Sequence, residues 1–342
     1  MNKRGKIIIS RTDGIGDVVL TLPLAGILKE WYPDCKIIFL GRGYTEPIVK
    51  CSKYIDEFLD WDEIENLTEE EQKKALRKTA ADVIIHVFPN KKIARTAKKA
   101  GIPLRIGTSH RIYSWWFCNR NVNLSRKNSP LHEVQLNMKL LEPLGIVGDF
   151  SLEEISGYFG LTKIAQLPEW NSGLLVKDKF NLILHPKTKG SAREWGIENF
   201  SKLIDFLPSE QYHIIITGTA DEGRQLSALF SEERKNVIDA TGKLDLSELI
   251  SLINSADGLI AASTGPIHIA AALGKIALGL YAPMKPIHPG RWAPIGKNAC
   301  FLVLDKNCNA CRKTLDCECI RSILPEAVAE RLMEMRRKKY II

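Results

Sequence analysis

One stretch of the sequence contains no acidic residue. Of the 40 aspartates and glutamates in the 342-residue chain, none lies between Val83 and His132, although this window carries ten lysines and arginines. Because the whole chain has a net charge of +8, the remainder is slightly acidic and a single region is strongly basic. Such a region attracts anionic partners, for example nucleic acid, anionic lipid or a phosphorylated glycan. A solvated surface accounts for some of these lysines, but not for the complete absence of acids.

The sequence also lacks a long apolar run. No run reaches the roughly 18 residues that a membrane span needs. The first ten residues lead directly into a strand pattern rather than a secretory signal. We therefore expect a cytosolic protein, in which the eight cysteines serve as thiols or as a metal site rather than as disulfides. A hydrophobic content of 45% is sufficient for the cores of two domains.

Several sequence fingerprints are missing. No G-x-G-x-x-G follows Ser10 or His185, and Gly14-Ile15-Gly16 lacks the third glycine of that pattern. The sequence has no HExxH, no GxSxG and no paired metal carboxylates. No recognised nucleic-acid motif accompanies the basic window. These absences weigh against a dinucleotide-dependent oxidoreductase and against a nucleic-acid partner.

Strand and helix patterns alternate along both halves of the chain. In the first half, strand patterns lie at residues 6–10, 36–40, 58–60, 82–88 and 104–107. After a loop-rich linker at about residues 145–179, they lie at residues 181–185, 213–217, 236–239, 257–262 and 276–281. The alternation predicts an α/β protein with two doubly wound, Rossmann-like parallel sheets.

The same alternation predicts the domain boundaries. We expect an N-terminal domain over residues 1–165 and a C-terminal domain over residues 176–322. A terminal helix within residues 323–342 is expected to pack back toward the N-terminal domain. Two domains of this type face each other across a cleft, and ligands bind at the carboxyl ends of their strands. Candidate functional residues are therefore those in the loops that follow the strands.

Residues 257–275 combine a strand, a turn and the start of a helix. The turn contains Ser263, Thr264 and Gly265, and a small-residue helix follows. Either hydroxyl can cap that helix, and the glycine lets a ligand approach the backbone. Such a helix start binds anions, most often phosphates, although an ordinary strand-to-helix connection has the same pattern. His268 lies one turn into the helix on the face of Thr264, with packing in the core as its alternative role.

Two acidic residues follow the first strand. Asp17 comes after Gly14 and Gly16, in a loop at the carboxyl edge of the predicted sheet. A carboxylate at this edge can act as a general base that takes a proton from a hydroxyl. Asp13 competes with Asp17 for this role. The alternative interpretation is that either residue stabilises a helix N-terminus.

Two further loops in the second half carry candidate ligand contacts. The loop after residues 181–185 carries three cations and two hydroxyls, at Lys187, Thr188, Lys189, Ser191 and Arg193. These groups can neutralise a diphosphate leaving group, although a solvated basic loop is the alternative. Asp221 follows the strand at residues 213–217, where it can bond a ribose hydroxyl or cap a helix.

Four cysteines lie close together near the end of the sequence. Their spacing is C-x2-C-x5-C-x-C, from Cys308 and Cys311 to Cys317 and Cys319. Four thiols at this separation can bind zinc, although the pattern differs from the usual pair of C-x2-C motifs. Paired thiols and simple packing remain open alternatives.

Four segments in this order resemble glycosyltransferase family 9, the lipopolysaccharide heptosyltransferases. They are residues 11–23, 189–195, 219–222 and 263–274. The resemblance implies a GT-B fold, in which two Rossmann-like domains face a central cleft. It also implies an inverting, metal-independent sugar transfer without a cofactor, with the nucleotide sugar held by the second domain. ADP-heptose is the donor of the best-known members.

The resemblance assigns roles to individual positions. Asp17 matches the general base, Arg193 a residue that meets the donor phosphates, and Asp221 the acid on the adenosine ribose. The phosphate-side helix start corresponds to Thr264, Gly265 and His268. Many members have an aspartate that contacts the sugar at the position of Ser263. Because a neutral hydroxyl stands there, a donor other than ADP-heptose remains open.

The resemblance also implies a partner for the basic window. The lipopolysaccharide inner core carries phosphates and acidic sugars, so we expect an anionic glycolipid acceptor at the inner face of the cytoplasmic membrane, with peripheral attachment. The expected acceptor-side residues are Asp13, Lys91, Lys98 and Arg105. Trp115, Trp116 and Phe117 could reach a membrane interface, but we expect them to pack in the core.

Two other classes of function remain open. A nucleotide-sugar epimerase on the same fold would turn over the donor without any acceptor. A binding protein that has lost catalysis would hold the nucleotide sugar without cleaving it, and Ser263 is the residue that suggests this alternative.

Overall fold

The computed structural model divides the chain into two compact units, Met1–Lys163 and Ile164–Ile342. It describes residues 5–126, 129–188, 190, 192–285, 287–304, 311 and 317–340. Within this described part, no helix is long and apolar enough to cross a membrane.

The first unit is built on a parallel sheet with the strand order β3-β2-β1-β4-β5-β6. Its strands are β1 (Lys6–Ser10), β2 (Lys36–Gly41), β3 (Glu57–Asp60), β4 (Val83–His86), β5 (Leu104–Thr108) and β6 (Arg120–Val122). The central strands are buried along almost their whole length, which explains why their sequences are continuous apolar runs rather than alternating patterns.

Short helices connect these strands. They are α1 (Ile15–Val19), α2 (Leu22–Trp31), α3 (Glu46–Lys50), α4 (Trp61–Glu65), α5 (Glu69–Lys78), α6 (Lys91–Ala100), α7 (Ile112–Phe117), α8 (Glu133–Met138) and α9 (Leu152–Ser156). The sequence pattern predicts one helix from Val18 to Trp31, but the structure has α1 and α2. Pro23, which lacks an N–H donor, lies in the first turn of α2, where no such donor is required.

The second unit repeats the architecture, with the order β12-β11-β10-β7-β8-β9 and parallel pairing throughout. Its strands are β7 (Phe180–His185), β8 (Tyr212–Ile216), β9 (Val237–Asp239), β10 (Gly258–Ala262), β11 (Ile276–Tyr281) and β12 (Ala299–Val303). Numbered within each unit, both sheets have the order 3-2-1-4-5-6, the order of a Rossmann fold. The two predicted Rossmann-like sheets are therefore confirmed.

The helices of the second unit complete its layers. They are α10 (Ile197–Asp205), α11 (Ala220–Gln225), α12 (Leu246–Ser255), α13 (Gly265–Ala272), α14 (Pro289–Trp292), α15 (Glu318–Arg321) and α16 (Pro325–Tyr340). Helix α16 packs against α10 and β11 of its own unit through Val328, Ala329 and Leu332. The expected packing of the terminal helix toward the N-terminal domain stays a prediction.

Two strands at sheet edges were not predicted. β6 and β12 each pair with one neighbour only, and their side chains are partly exposed. An edge strand needs no continuous apolar run, so its sequence carries a weaker signal than that of a central strand.

Candidate functional site

Most of the predicted site residues lie just beyond the carboxyl ends of the central strands, at one position in each sheet. Each sheet reverses its strand order between its two middle strands, which are β1 and β4 in the first unit and β7 and β10 in the second. Ligands of open α/β sheets bind beyond the carboxyl ends of the strands at such a switch point. Asp13 and Asp17 follow β1, Lys187 and Arg193 follow β7, and Thr264 follows β10.

A buried arginine organises the switch point of the first unit. Arg11 directly follows β1 and is 3% exposed. Its Nε donates to Asp13 Oδ1 at 2.6 Å, its Nη1 to Glu133 Oε1 at 3.2 Å, and its Nη2 to Asp17 Oδ1. Glu133, which is 1% exposed, also accepts a hydrogen bond from Arg126. Two guanidinium groups thus bind three carboxylates, and the cluster has a net negative formal charge.

Burial, together with this surplus of carboxylates, makes Asp17 a stronger base than an ordinary aspartate. Burial, with further contributions from the charges of Asp13 and Glu133, raises the pKa of Asp17 to about 6 against the opposing charge of Arg11. Burial by itself lowers the pKa of Arg11, but the three carboxylates outweigh this effect and raise it, so the guanidinium stays charged. At neutral pH Asp17 is therefore ionised and able to accept a proton.

Sequence analysis did not identify several residues of this switch point. Arg11 begins the family-like segment at residues 11–23, but the sequence indicates no role for it. Arg126 carries no signal beyond its charge, and Glu133 is the first acid after the acid-free window. His86 ends β4 beside Ser10 and is 3% exposed. Neither of its ring nitrogens has a hydrogen-bond partner among the described residues, and burial lowers its pKa to about 4. His86 is therefore neutral at physiological pH.

The loop after β7 is held by an internal ion pair. Lys187 Nζ lies 2.6 Å from Glu194 Oε2, and Glu194 Oε1 accepts from the main-chain N–H of Thr188 at 3.1 Å. Sequence analysis missed Glu194, which partly neutralises the predicted basic loop. The same loop, together with Arg321 of α15, lines a cavity of about 410 Å³ within the second unit. Lys189 and Ser191 lie outside the described residues.

Arg193 is anchored by the main chain of a distant residue. Its Nε and Nη2 donate to the carbonyl oxygen of Cys311 at 3.2 and 3.0 Å, and Nη2 lies 3.8 Å from Met284 Sδ. A guanidinium has five N–H donors, so these contacts leave others to donate to a phosphate.

The turn after β10 does not cap its helix as predicted. Thr264 occupies the N-cap position of α13, but its Oγ1 donates back to the carbonyl oxygen of Ala262 at 3.3 Å. The helix start has no side-chain capping hydrogen bond. Neither hydroxyl therefore takes the first N–H groups of α13, which are the groups that an anion would use. His268, 3% exposed, is buried within the same helix.

Asp221 is an exposed residue of α11. Thr219, not Asp221, is the N-cap: its Oγ1 accepts from the Glu222 N–H at 3.3 Å, and Glu222 Oε2 accepts from the Thr219 N–H at 2.7 Å. The alternative role of Asp221 as a helix cap is therefore wrong. Its side chain is 81% exposed and pairs with Arg224 on the next turn. The predicted contact with a ribose hydroxyl stays a prediction.

The predicted acceptor-side cations lie on α6 and β5. Lys91 is exposed at the start of α6, which follows β4. Lys98 Nζ donates to the carbonyl oxygen of Trp116 at 2.7 Å, and Arg105 Nε to that of Phe117 at 2.7 Å. Lys98 and Arg105 thus hold α7 in place, and their role toward an acceptor stays a prediction.

Basic residues of the acid-free window form ion pairs with acidic residues from other parts of the chain. Glu69, at the start of α5, contacts both Lys99 and Arg95 of the adjacent α6, and Arg95 Nη2 lies 3.1 Å from its Oε1. Glu133 pairs with Arg126 in the same way. Acids from outside the window therefore neutralise part of its positive charge.

Helix α7 turns three large apolar side chains toward solvent. Ile112, Trp115 and Trp116 are 79%, 64% and 66% exposed. The expectation that Trp115 and Trp116 pack in the core is wrong, because small residues fill the inward positions of this segment. Those residues are Ser114 and Cys118, at 3% and 6% exposure.

Three of the late cysteines come together in the core of the second unit. Cys311, Cys317 and Cys319 are 2%, 1% and 6% exposed. Their sulfur atoms all lie within 4.8 Å of one another, and they form the only group with three candidate metal ligands among the described residues. The fourth predicted ligand, Cys308, lies outside that part of the chain.

Comparison with known proteins places this architecture in a family. The sequence model of glycosyltransferase family 9 (heptosyltransferase) matches residues 71–320. Lipopolysaccharide heptosyltransferase 3 of Escherichia coli K12 is 27% identical over 296 residues, which cover 83% of each protein.

Solved structures share the fold of the chain. The family 9 glycosyl transferase of Veillonella parvula superimposes with a TM-score of 0.82 at 21% identity, covering 97% of each chain. Escherichia coli heptosyltransferase WaaC with ADP gives a TM-score of 0.72 at 16% identity, covering 96% of this chain and 99% of that one. Because the family model spans more than half of the sequence and both sheets match, the chain belongs to glycosyltransferase family 9 and is a glycosyltransferase with the GT-B fold.

Proposed function

We propose that the enzyme transfers heptose from ADP-heptose to an anionic inner-core glycolipid of lipopolysaccharide. Family membership and the matched heptosyltransferases support sugar transfer of this kind. The observation that carries the proposal is that both switch points hold the required groups. A basic carboxylate follows β1, while an arginine follows β7 and an uncapped helix start follows β10.

On the acceptor side, Asp17 is the proposed general base. It removes the proton of an acceptor hydroxyl while the oxygen attacks the anomeric carbon and the bond to ADP breaks, which inverts the configuration at that carbon. Arg11 holds the Asp17 carboxylate in place. Because Asp13 and Glu133 share the charge of the same guanidinium, Arg11 orients the base without suppressing its basicity.

On the donor side, Arg193 and the start of α13 are proposed to stabilise the departing diphosphate. Charge-assisted hydrogen bonds from a guanidinium and from helix N–H groups act where negative charge develops in the transition state. Lys187 is proposed as a secondary contact, since the phosphates must compete with Glu194 for its ammonium group. Asp221 is proposed to accept a hydrogen bond from the ribose.

Ser263 bears on which sugar is transferred. Its hydroxyl is neutral, so it does not supply the charged acceptor that an aspartate would offer to sugar hydroxyls. This observation favours a second candidate, transfer of another sugar from another nucleotide on the same fold.

The acceptor is proposed to be presented at an anionic membrane surface at the cytoplasmic side. Exposed tryptophans and an exposed isoleucine on α7 suit the boundary between lipid headgroups and acyl chains. The neighbouring Lys98 and Arg111 are also exposed, which provides charge complementary to anionic lipids.

Calorimetric titration with ADP, UDP, GDP and dTDP tests the donor assignment. We expect selective binding of ADP and tighter binding of ADP-heptose. Preference for another nucleotide would replace ADP-heptose by the second candidate. Absence of binding to all four would contradict the assignment of the second unit as the donor site.

A further inference from the structure

We propose that Cys311, Cys317 and Cys319 bind a zinc or iron ion, and that this metal site positions Arg193 for the donor. The first part rests on the cysteine cluster alone. The second part rests on the proposed function, because it assigns Arg193 to the donor phosphates.

The spacing of the sulfur atoms suits a tetrahedral metal site. With metal–sulfur bonds of about 2.3 Å, two ligands of one tetrahedral ion lie about 3.8 Å apart. The three Sγ atoms are mutually within 4.8 Å, and those of Cys311 and Cys317 are 3.0 Å apart. That separation is too long for a disulfide bond of about 2.05 Å. Small shifts of these side chains would place all three sulfurs around one ion.

The donor set restricts the identity of the metal. Sites made of cysteine sulfur select zinc or iron over magnesium and calcium, which require oxygen ligands. Cys308, the fourth cysteine of the sequence pattern, lies outside the described residues, and the proposed site consists of the three described cysteines. The cluster belongs to the same hydrophobic core as Trp195 and Met284, which is typical of a closed, structural site.

The remaining described cysteines do not show this arrangement. Cys35, Cys51, Cys118 and Cys300 belong to no group of three candidate ligands in the described part of the chain. Cysteine is often buried as a small apolar residue, but such packing does not require three sulfurs to converge. These other residues therefore supply matched controls.

The main chain of Cys311 connects the metal site to the donor loop. Its carbonyl oxygen accepts both hydrogen bonds that orient the Arg193 guanidinium. A metal bound to Cys311 Sγ would restrict the backbone of that residue and thereby the position of the carbonyl. The metal would act as a structural brace, with Arg193 as the residue that contacts the phosphates.

Metal analysis of the full-length protein tests the site without any variant. We expect about one zinc or iron per chain after purification under reducing conditions without chelators, and elemental analysis distinguishes the two metals. Loss of the metal is expected in Cys317→Ser and Cys319→Ser but not in Cys300→Ser or Cys118→Ser. Wild-type protein free of both metals, or a metal content unchanged in Cys317→Ser, would overturn the proposed site.

ADP binding tests the link to Arg193. Removal of the metal should weaken ADP binding roughly ten- to a hundredfold in the wild type, the range expected for one charge-assisted hydrogen bond. It should have little further effect in Arg193→Ala, because the residue that the metal positions is already gone. Circular dichroism establishes that the metal-free protein remains folded.

The outcomes separate the two proposals. Equal ADP affinity of folded protein with and without metal would overturn the positioning role and leave the metal site standing. If the metal-loaded protein binds no ADP, the proposed donor fails, while the metal content still decides whether the site exists.

Discussion

Arg11 contacts Asp17 with one arm of its guanidinium while its other nitrogens bind Asp13 and Glu133. The buried guanidinium thus orients the Asp17 carboxylate, while the carboxylates of Asp13 and Glu133 largely compensate its positive charge. Asp17 consequently combines a fixed position with a pKa raised by burial to about 6. This combination is what a general base at neutral pH requires.

Replacing Asp17 by asparagine should lower the activity but raise the stability of the protein. We expect Asp17→Asn to reduce kcat by about 10²- to 10⁴-fold, the usual contribution of a general base. Folding raises the pKa of Asp17 from 3.8 to about 6. The free energy of unfolding is therefore highest below about pH 4, where Asp17 is protonated in both the folded and the unfolded state, and it decreases as the pH rises through 6. The neutral variant should therefore be more stable than the wild type by about 1–3 kcal/mol at pH 8. Denaturant unfolding at pH 8 and pH 4 measures this gain, which should vanish at the lower pH.

The pH dependence of the reaction should follow the ionisation of Asp17. We expect kcat/KM to fall as the pH decreases below about 6, since the carboxylate then becomes protonated. Glu133→Gln removes one of the charges that raise this pKa, so its acidic limb should move to lower pH. Glu142→Gln, an exposed glutamate of the same unit, is the control and should leave the limb in place. An unchanged profile in Glu133→Gln would contradict a contribution of the Glu133 charge to the raised pKa of Asp17.

Arg193 should matter more for donor affinity than Lys187. Arg193→Ala is expected to weaken ADP binding roughly ten- to a hundredfold, because it removes charge-assisted hydrogen bonds to the phosphates. Lys187→Ala should have a smaller effect, since Glu194 already occupies its ammonium group at 2.6 Å. Calorimetry with Arg331→Ala, a partly exposed arginine of α16, provides the control for a general loss of charge. A larger loss in Lys187→Ala would reverse the proposed order of the two residues.

Asp221 should affect binding but not stability. Its side chain is 81% exposed and its pair with Arg224 is a surface ion pair, which contributes at most about 1 kcal/mol. We expect Asp221→Ala to weaken ADP binding about tenfold while its denaturation midpoint stays close to that of the wild type. Asp205→Ala, which removes another exposed acid of the same unit, should leave ADP affinity intact. ADP binding that is the same in both variants would remove Asp221 from the donor site.

The aromatic residues of α7 should attach the enzyme to anionic membranes. The double variant Trp115→Ser/Trp116→Ser is expected to lose at least about tenfold in affinity for vesicles containing anionic lipid, because it removes apolar surface that would enter the interface. Trp170→Ser, at a position that is 62% exposed in the second unit, is the matched control. Vesicle sedimentation at two salt concentrations separates the apolar and electrostatic contributions. Wild-type protein that stays in the supernatant with anionic vesicles would contradict the proposed attachment.

Periodicity and turn residues predicted most of the fold. The buried strands β1, β4, β7, β10 and β11 are largely apolar runs, and the loops after β7 and β10 carry Arg193 and Thr264 as expected. Asp17, which the pattern predicts in the loop after β1, lies instead in the first turn of α1. Parallel strands place their carboxyl ends on one edge, so a local pattern is enough to predict which loops share a site.

Contacts between distant residues could not be predicted in this way. The pairing of Arg11 with Glu133 and the anchoring of Arg193 on Cys311 join residues more than 100 positions apart. The same limit explains the basic window, whose charges meet Glu69 only when α5 packs on α6. Residue type predicts Trp115 and Trp116 in the core, whereas their exposure is decided by which face of α7 packs inward.

The most direct test of the account is a transfer assay with ADP-heptose and an anionic inner-core glycolipid. Mass spectrometry of the glycolipid and quantification of released ADP would be carried out with wild-type protein and with Asp17→Asn. The account predicts ADP release that depends on the acceptor, a glycolipid heavier by one heptose, and neither product with Asp17→Asn. Donor turnover without acceptor, or donor binding without any product, would contradict the assignment as a heptosyltransferase.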